Sequence, residues 1–204
     1  MHILTALTYY RPHHSGLTIY TERLARALGA RGHQVTVLTS RFDNNLPPRE
    51  QIDGVNVLRM PIFMRISKGV IMPSMFIYAW KLARQVDIIH LHLPQLDAAY
   101  IALFGRLLGK PVIVTYHCDL ILPEGFIHSI ANFVSDIANH ITARAANLIV
   151  TNTQDYADNS VFLSRYASKV RSVPPPVSMP RVDDEDIDRF RKKYDIQPNQ
   201  PIIG

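Results

Sequence analysis

The sequence predicts an α/β protein, a doubly wound and mostly parallel sheet with helices on both faces. Three observations carry this. Short apolar, β-branched runs alternate with amphipathic stretches of helical period along the 204 residues, the order that βαβ units produce. The run at 111–119, PVIVTYHCD, is apolar without alternation over its first half, as a strand covered on both faces must be. Glycines at 32 and 109 punctuate the ends of helical patterns, where a left-handed residue is needed.

The first strand is 2–8, HILTALT, and it runs into the loop YYRPHHSG. Ser15 and Gly16 then open a helix that closes on Gly32. Leu17, Tyr20, Leu24, Ala27 and Leu28 share one face of it, with Arg23, Arg26 and Arg31 mostly elsewhere. Ser15 suits the amino cap, since its oxygen accepts from free backbone N–H groups. In an open α/β sheet, ligands bind beyond the carboxyl ends of strands, where this first loop lies. A helix amino end there favours a phosphate.

Strand 34–39, QVTVLT, follows at once, and a polar loop with Asn44, Asn45, Pro47 and Pro48 leads to strand 55–61, VNVLRMP. The stretch 62–80 mixes Phe, Met, Ile and Trp with Arg65 and Lys68 and is interrupted by Pro73. It reads as a loop and then a helix over about 74–85. Two readings of its surface stand: a covered loop before a core helix, or a peripheral membrane contact through 62–76, with basic residues meeting anionic headgroups. Strand 87–93, DIIHLHL, places His90 and His92 on one face. No carboxylate or cysteine sits at matching metal-ligand spacing. The expectation is one packed, hydrogen-bonded histidine and one near the functional end of the strand.

Helix 95–109 precedes strand 111–119, which ends in Tyr116-His117-Cys118-Asp119. Ionisable residues at the carboxyl end of a central strand are where site chemistry is expected. A helix over 126–146, a strand over 146–153, a helix over 155–167 and a short strand over 169–173 follow, and then three prolines, 174–176, stop regular structure. A helix over 184–194 has acids first and bases last, as its dipole favours. The final PIIG reads as the start of another strand. The expected organisation is therefore a Rossmann-like domain over 1–174, with 175–204 as linker, helix and the opening of a second domain.

One cysteine, Cys118, excludes an internal disulfide and suits a reducing compartment. No uncharged apolar run reaches the ~18 residues that span a bilayer, and the amino end lacks the pattern of a signal peptide. A net charge of +5 permits anionic ligands and selects none. The basic residues are scattered and no base-reading motif is present, so nucleic acid is not an expected partner.

Five stretches, in order, resemble the amino-terminal domain of GT-B glycosyltransferases of the family 4 (group 1) type. These are the Ser15-Gly16 turn, LGARGHQVTVLT at 28–39, DIIHLH at 87–92, KPVIVTYHCD at 110–119 and KVRSVPPPV at 169–177. The family's usual Gly-Gly is Ser15-Gly16 here. The resemblance implies the amino-terminal half of a GT-B fold and a retaining, metal-independent transfer with no cofactor. A sugar passes from a UDP- or GDP-sugar to a glycan or lipid-linked acceptor. It also implies roles: Ser15 and Gly16 at the donor phosphates, His117 and Asp119 at the reacting sugar, and Tyr9, Tyr10, His13 and His14 along the acceptor cleft. The second domain holds most of the donor in that family, so the 204 residues are expected to be inactive alone. The expected location is cytoplasmic, at the inner face of the membrane if the 62–76 contact holds. Two rivals remain. A nicotinamide or flavin oxidoreductase would use Arg41 and Asp43 at a ribose, yet the first turn has no G-x-G-x-x-G. A non-catalytic carbohydrate- or lipid-binding module is the other.

Overall fold

The fold was taken from a computed structural model, which describes residues 1–66, 69–119, 126–177, 182–197 and 199–202. In chain order the elements are β1 (His2–Ala6), α1 (Gly16–Ala30), β2 (Gln34–Arg41), β3 (Arg49–Ile52), β4 (Val55–Pro61), β5 (Met64–Ile66), β6 (Gly69–Ile71) and α2 (Pro73–Ala83). There follow β7 (Ile88–Leu93), α3 (Ala98–Leu107), β8 (Val112–Tyr116), α4 (Phe126–Ala145), β9 (Leu148–Thr151), α5 (Gln154–Asn159), α6 (Val161–Ser164), β10 (Val170–Ser172) and α7 (Asp184–Lys193).

Eight strands form one sheet in the order β10-β9-β8-β7-β1-β2-β4-β3, parallel except for β3 at the edge. The chain builds outward from β1 through β2 to β4, then returns to the other side of β1 with β7. That reversal makes the carboxyl ends of β1 and β7 the topological switch point, where open α/β sheets bind their ligands. Right-handed crossovers in opposite directions put the connecting helices on opposite faces. Two cores result. One, with Leu7, Tyr10, Ala25, Val35, Val37, Val55 and Val57, lies under α1. The larger one gathers Met75, Ala79, Ile89, Leu91, Ile101, Val114 and Ile149 under α2, α3 and α4.

Close packing explains two residues on the larger face. A Cβ on Gly105 of α3 would lie 2.5 Å from Val112 Cγ2 and 3.1 Å from Ile89 Cδ1, so only glycine lets α3 sit this near β7 and β8. Lys169 reaches across the carboxyl end of α4, donating to Ala143 O, Arg144 O and Ala146 O at 3.2, 2.8 and 2.8 Å. It satisfies carbonyls that the helix leaves open.

Three expectations need correction. The polar run Arg49–Ile52, read as loop, is a strand paired antiparallel with β4 through an Asp53-Gly54 turn. Both turn residues have positive φ, 49° and 80°, which an Asp-Gly pair accommodates in a two-residue hairpin. The stretch before α2 holds a second small hairpin, β5 with β6, in place of a loop. The helix expected over 155–167 breaks at Ser160, whose extended backbone ends α5 while its hydroxyl caps α6 at Leu163 N. Of the strand expected at the end, Pro201 and Ile202 carry no strand assignment, and residues 203–204 lie outside the described ones.

Candidate active site at the switch point

Period two along β7 puts His90 and His92 on the α1 side of the sheet and Ile89, Leu91 and Leu93 in the opposite core. His90 is 7% exposed, and its Nε2 lies 2.8 Å from Thr115 Oγ1. His92 is fully buried at the strand's end. Its Nδ1 lies 3.0 Å from His117 Nε2, and the two rings stack with centroids 5.3 Å apart. One histidine is thus packed and bonded, and the other meets the candidate catalytic residue. His117 continues β8 by donating its backbone N–H to Leu93 O at 3.1 Å. Tyr20 of α1 stands edge-on to its ring at 5.0 Å. Tyr20 lies about one helical turn from Gly16, so the start of α1 packs directly on His117.

Burial sets the protonation here. It lowers His117 to about 4. It also lowers His90 to about 4, aided by repulsion from His117, and takes His92 well below the ordinary imidazole value. All three rings are neutral at pH 7. His117 therefore offers one donor nitrogen and one acceptor nitrogen rather than a cation.

Asp119 faces away from this cluster. Tyr116 donates to its Oδ1 at 2.8 Å and Tyr156 to its Oδ2 at 2.7 Å, and the Asp119 backbone N–H bonds the Tyr156 hydroxyl at 3.0 Å. Burial raises both phenols, with the carboxylate adding to the effect, Tyr156 to about 12 and Tyr116 further. They stay donors, and the exposed carboxylate is held in place. The structure brings His117 to α1 and His92, and Asp119 to α5.

At the β1–α1 turn, Ser15 is the amino cap: Thr18 N donates to its Oγ at 3.2 Å. Gly16 is exposed, and a Cβ there would meet no atom within 4 Å. Nothing in the chain itself requires glycine at that position. Tyr9 and His13 stack at 4.8 Å, with Phe42 edge-on to both. His14 is exposed. Tyr10 is corrected: it is 1% exposed and belongs to the core under α1, where burial raises its phenol to about 12. It shows no face to an acceptor.

Sequence reasoning missed Arg59. It is fully buried, pairs with Glu50, and donates to Pro47 O at 3.2 Å and to Arg11 O at 2.7 Å. It thereby ties the β1–α1 loop to β4. The signal was present, because Val55, Val57 and Arg59 share one face of the strand, so a charge sat on a core face and needed partners. Arg41 and Asp43, the ribose candidates of the oxidoreductase reading, serve a local turn. Arg41 donates to Leu46 O and Asn44 O, and Asp43 accepts from Asn45 N.

A doubly wound sheet with neutral histidine at its switch point defines the class, and comparison with known proteins supplies the family. The chain belongs to the Glycosyl transferase 4-like domain family, whose model matches residues 15–176. No curated protein matches it at a significant level. Among solved structures it is similar to sucrose-phosphate synthase from Thermosynechococcus elongatus, with 16% identity, a TM-score of 0.63 and coverage of 98% of this chain and 54% of that one. It is similar to WaaG, a glycosyltransferase involved in lipopolysaccharide biosynthesis, with 15% identity, a TM-score of 0.61 and coverage of 97% and 52%. UDP-GlcNAc 2-epimerase from Methanocaldococcus jannaschii also matches, with 15% identity, a TM-score of 0.54 and coverage of 86% and 46%. At these identities the likeness shows the fold alone. The chain spans about half the length of these structures.

Proposed function

We propose that residues 1–174 form the acceptor-binding half of a retaining glycosyltransferase, and that 175–204 lead into a donor-binding domain. The donor is a UDP- or GDP-sugar, and the acceptor a glycan or a lipid-linked sugar. The bond from the sugar's anomeric carbon to phosphate breaks, a bond to an acceptor oxygen forms, and the acceptor's proton leaves. No metal or other cofactor takes part. Membership of the glycosyltransferase family supports this reading. The observation that carries it is His117, neutral and packed against Tyr20, about one helical turn along α1 from a glycine whose added Cβ would meet nothing. In this reading Gly16 leaves room for the donor diphosphate at the helix amino end, Ser15 shapes that turn, and His117 hydrogen-bonds the transferred sugar. Asp119, fixed by two tyrosines, serves acceptor hydroxyls, and Tyr9, His13 and His14 line the approach.

The half alone is inactive in this reading, because most of the nucleotide is held by the other domain. The test is nucleotide release from UDP- and GDP-sugars by the 204 residues joined to the domain that follows them. His117→Ala should lower turnover roughly 100-fold or more. Wild-type turnover by that variant overturns the role, and turnover by residues 1–204 alone overturns the division of labour.

A membrane contact accompanies this function. Large apolar side chains are exposed before and along α2 and on α3: Phe63 and Met64 before α2, Phe76 and Ile77 on α2, Leu103 and Leu107 on α3. Exposed Arg65, Lys81, Arg84 and Arg106 accompany them, a mixture suited to an anionic interface. Among the described residues no helix is long and apolar enough to cross a membrane; in this reading the contact is peripheral, at the cytoplasmic face. Co-sedimentation with vesicles should increase with anionic lipid; binding indifferent to anionic lipid removes this part.

A further inference from the structure

Three polar side chains stand in line from α1 to the end of β8: Thr21, His92 and His117. Thr21 is 1% exposed and His92 fully buried. The Thr21 hydroxyl donates to Leu17 O, one helical turn back, at 2.9 Å. The same oxygen lies 3.5 Å from His92 Nε2. The other nitrogen of His92, Nδ1, lies 3.0 Å from His117 Nε2. Among the described residues His117 Nδ1 has no hydrogen-bond partner, and its ring is only half-buried.

A neutral imidazole carries its proton on one nitrogen or the other. The line therefore has two possible senses, and counting bonds decides between them. In the first, His92 is protonated at Nε2 and donates to Thr21, whose own proton stays on Leu17 O. His92 Nδ1 is then bare and accepts from His117 Nε2–H, so all three bonds are made. In the second, His92 is protonated at Nδ1 and donates to His117, and its bare Nε2 faces the Thr21 oxygen. The single hydroxyl proton can then serve Leu17 O or His92, not both, and one bond is lost. A buried polar atom left unpaired carries its desolvation cost in full. The Thr21–His92 contact is long at 3.5 Å, yet a weak bond still exceeds two lone pairs turned on each other. The first sense wins.

We propose that Thr21 and His92 are positioning residues that fix the tautomer of His117, holding its proton on Nε2 and leaving a bare Nδ1 for the substrate. The consequence at the sugar rests on the glycosyltransferase reading above. A bare nitrogen only accepts. Hydroxyls donate, whereas the ring, bridging and phosphate oxygens of a nucleotide sugar do not. His117 therefore takes a hydrogen bond from a hydroxyl and is no acid toward the leaving phosphate.

Long-range ¹⁵N–¹H spectra of the histidine rings in the 204-residue chain at pH 7 read this directly, because bare and protonated ring nitrogens resonate far apart. His92→Asn and His117→Gln assign the signals by their loss. The expected pattern is Nε2 protonated and Nδ1 bare in both rings. Thr21→Val removes the acceptor at the end of the line, so both rings should move toward the opposite tautomer. Thr21→Ser should restore the wild-type pattern. A packing role alone would shift the melting midpoint of Thr21→Val and leave the ring nitrogens as they were. In the protein with its following domain, Thr21→Val should lower kcat with a nucleotide sugar roughly 10-fold or more, and Thr21→Ser should keep it. Wild-type His92 or His117 protonated at Nδ1, alone or together with Nε2, overturns the proposal. So do unchanged tautomers in Thr21→Val, and so does full turnover by that variant with its tautomers reversed. Should the valine variant fail to fold, the wild-type spectrum decides alone. The expected tautomers in a protein that transfers no sugar would sink the glycosyltransferase reading and leave the positioning of His117 standing. Transfer by a protein with the opposite tautomers would do the reverse.

Discussion

His117 is held neutral by its surroundings, and that has a measurable consequence for the whole fold. His90, His92 and His117 all have folded-state values below the ordinary imidazole one of about 6.5, the first and third at about 4. Between those limits the unfolded chain binds more protons than the folded one. Stability is therefore complete above about pH 6.5 and is lost as pH falls toward 4. Thermal melts should show the midpoint falling over that window, with a shallower fall in His117→Gln. A midpoint flat between pH 6.5 and 5 would contradict the buried neutral cluster. Two glycines make a second contrast. Gly16→Ala meets open space and should leave stability unchanged or up by about 0.4–1 kcal/mol, while lowering turnover of a nucleotide sugar. Gly105→Ala drives a Cβ into Val112 and should cost about 1–3 kcal/mol. Residues differ in how far their sequence announced them. His117 and Asp119 could be chosen as candidates because a strand's carboxyl end is where a parallel sheet presents ionisable groups. Tyr9 and Tyr10 were not separable, since adjacent loop tyrosines carry no period, and only folding sends one to the core. Gly105 carried no signal because the approach of α3 to β8 is a tertiary fact.

At the scale of elements, periodic stretches translated directly into structure. The alternation of β7 and the continuous apolar run of β8 gave strands where expected, α1 begins at its expected cap, Ser15, and α7 starts at its expected position, Asp184. What failed was short and polar. The sequence of β3, REQI, offers a single apolar side chain, Ile52, to the core and pairs on one side only, and the signal was its Asp-Gly turn. The β5–β6 hairpin is too short to show a period. Helix α4 was placed correctly, yet its orientation was hidden, because a helical period says which residues share a face and not which face turns inward. Its carboxyl end depends on a residue that is distant in sequence. Lys169→Met removes three bonds to the last carbonyls of α4 and should cost about 1–2 kcal/mol in urea unfolding. No change in the unfolding midpoint would show that water replaces the lysine at no cost.

For the whole molecule, strand order does the organising. Reversal at β1 and β7 brings α1, His92 and His117 together, although about 75 residues of chain separate Tyr20 from His92 and about 100 separate it from His117. A doubly wound sheet was expected from the αβ alternation, whereas its strand order and the pairing of α1 with His117 come from the structure. The linker shows the same economy, with Arg23 of α1 donating to Pro176 O at 3.2 Å. The segment leaving the sheet is thereby tied to α1.

The most direct measurement is nucleotide release from a panel of UDP- and GDP-sugars, made on the chain with its following domain, on its Gly16→Ala and His117→Ala variants, and on residues 1–204 alone. The account expects release by the longer protein with at least one donor, strong loss in both variants at a temperature where each remains folded, and none from the 204 residues. Release by the longer protein that is indifferent to both substitutions would contradict it.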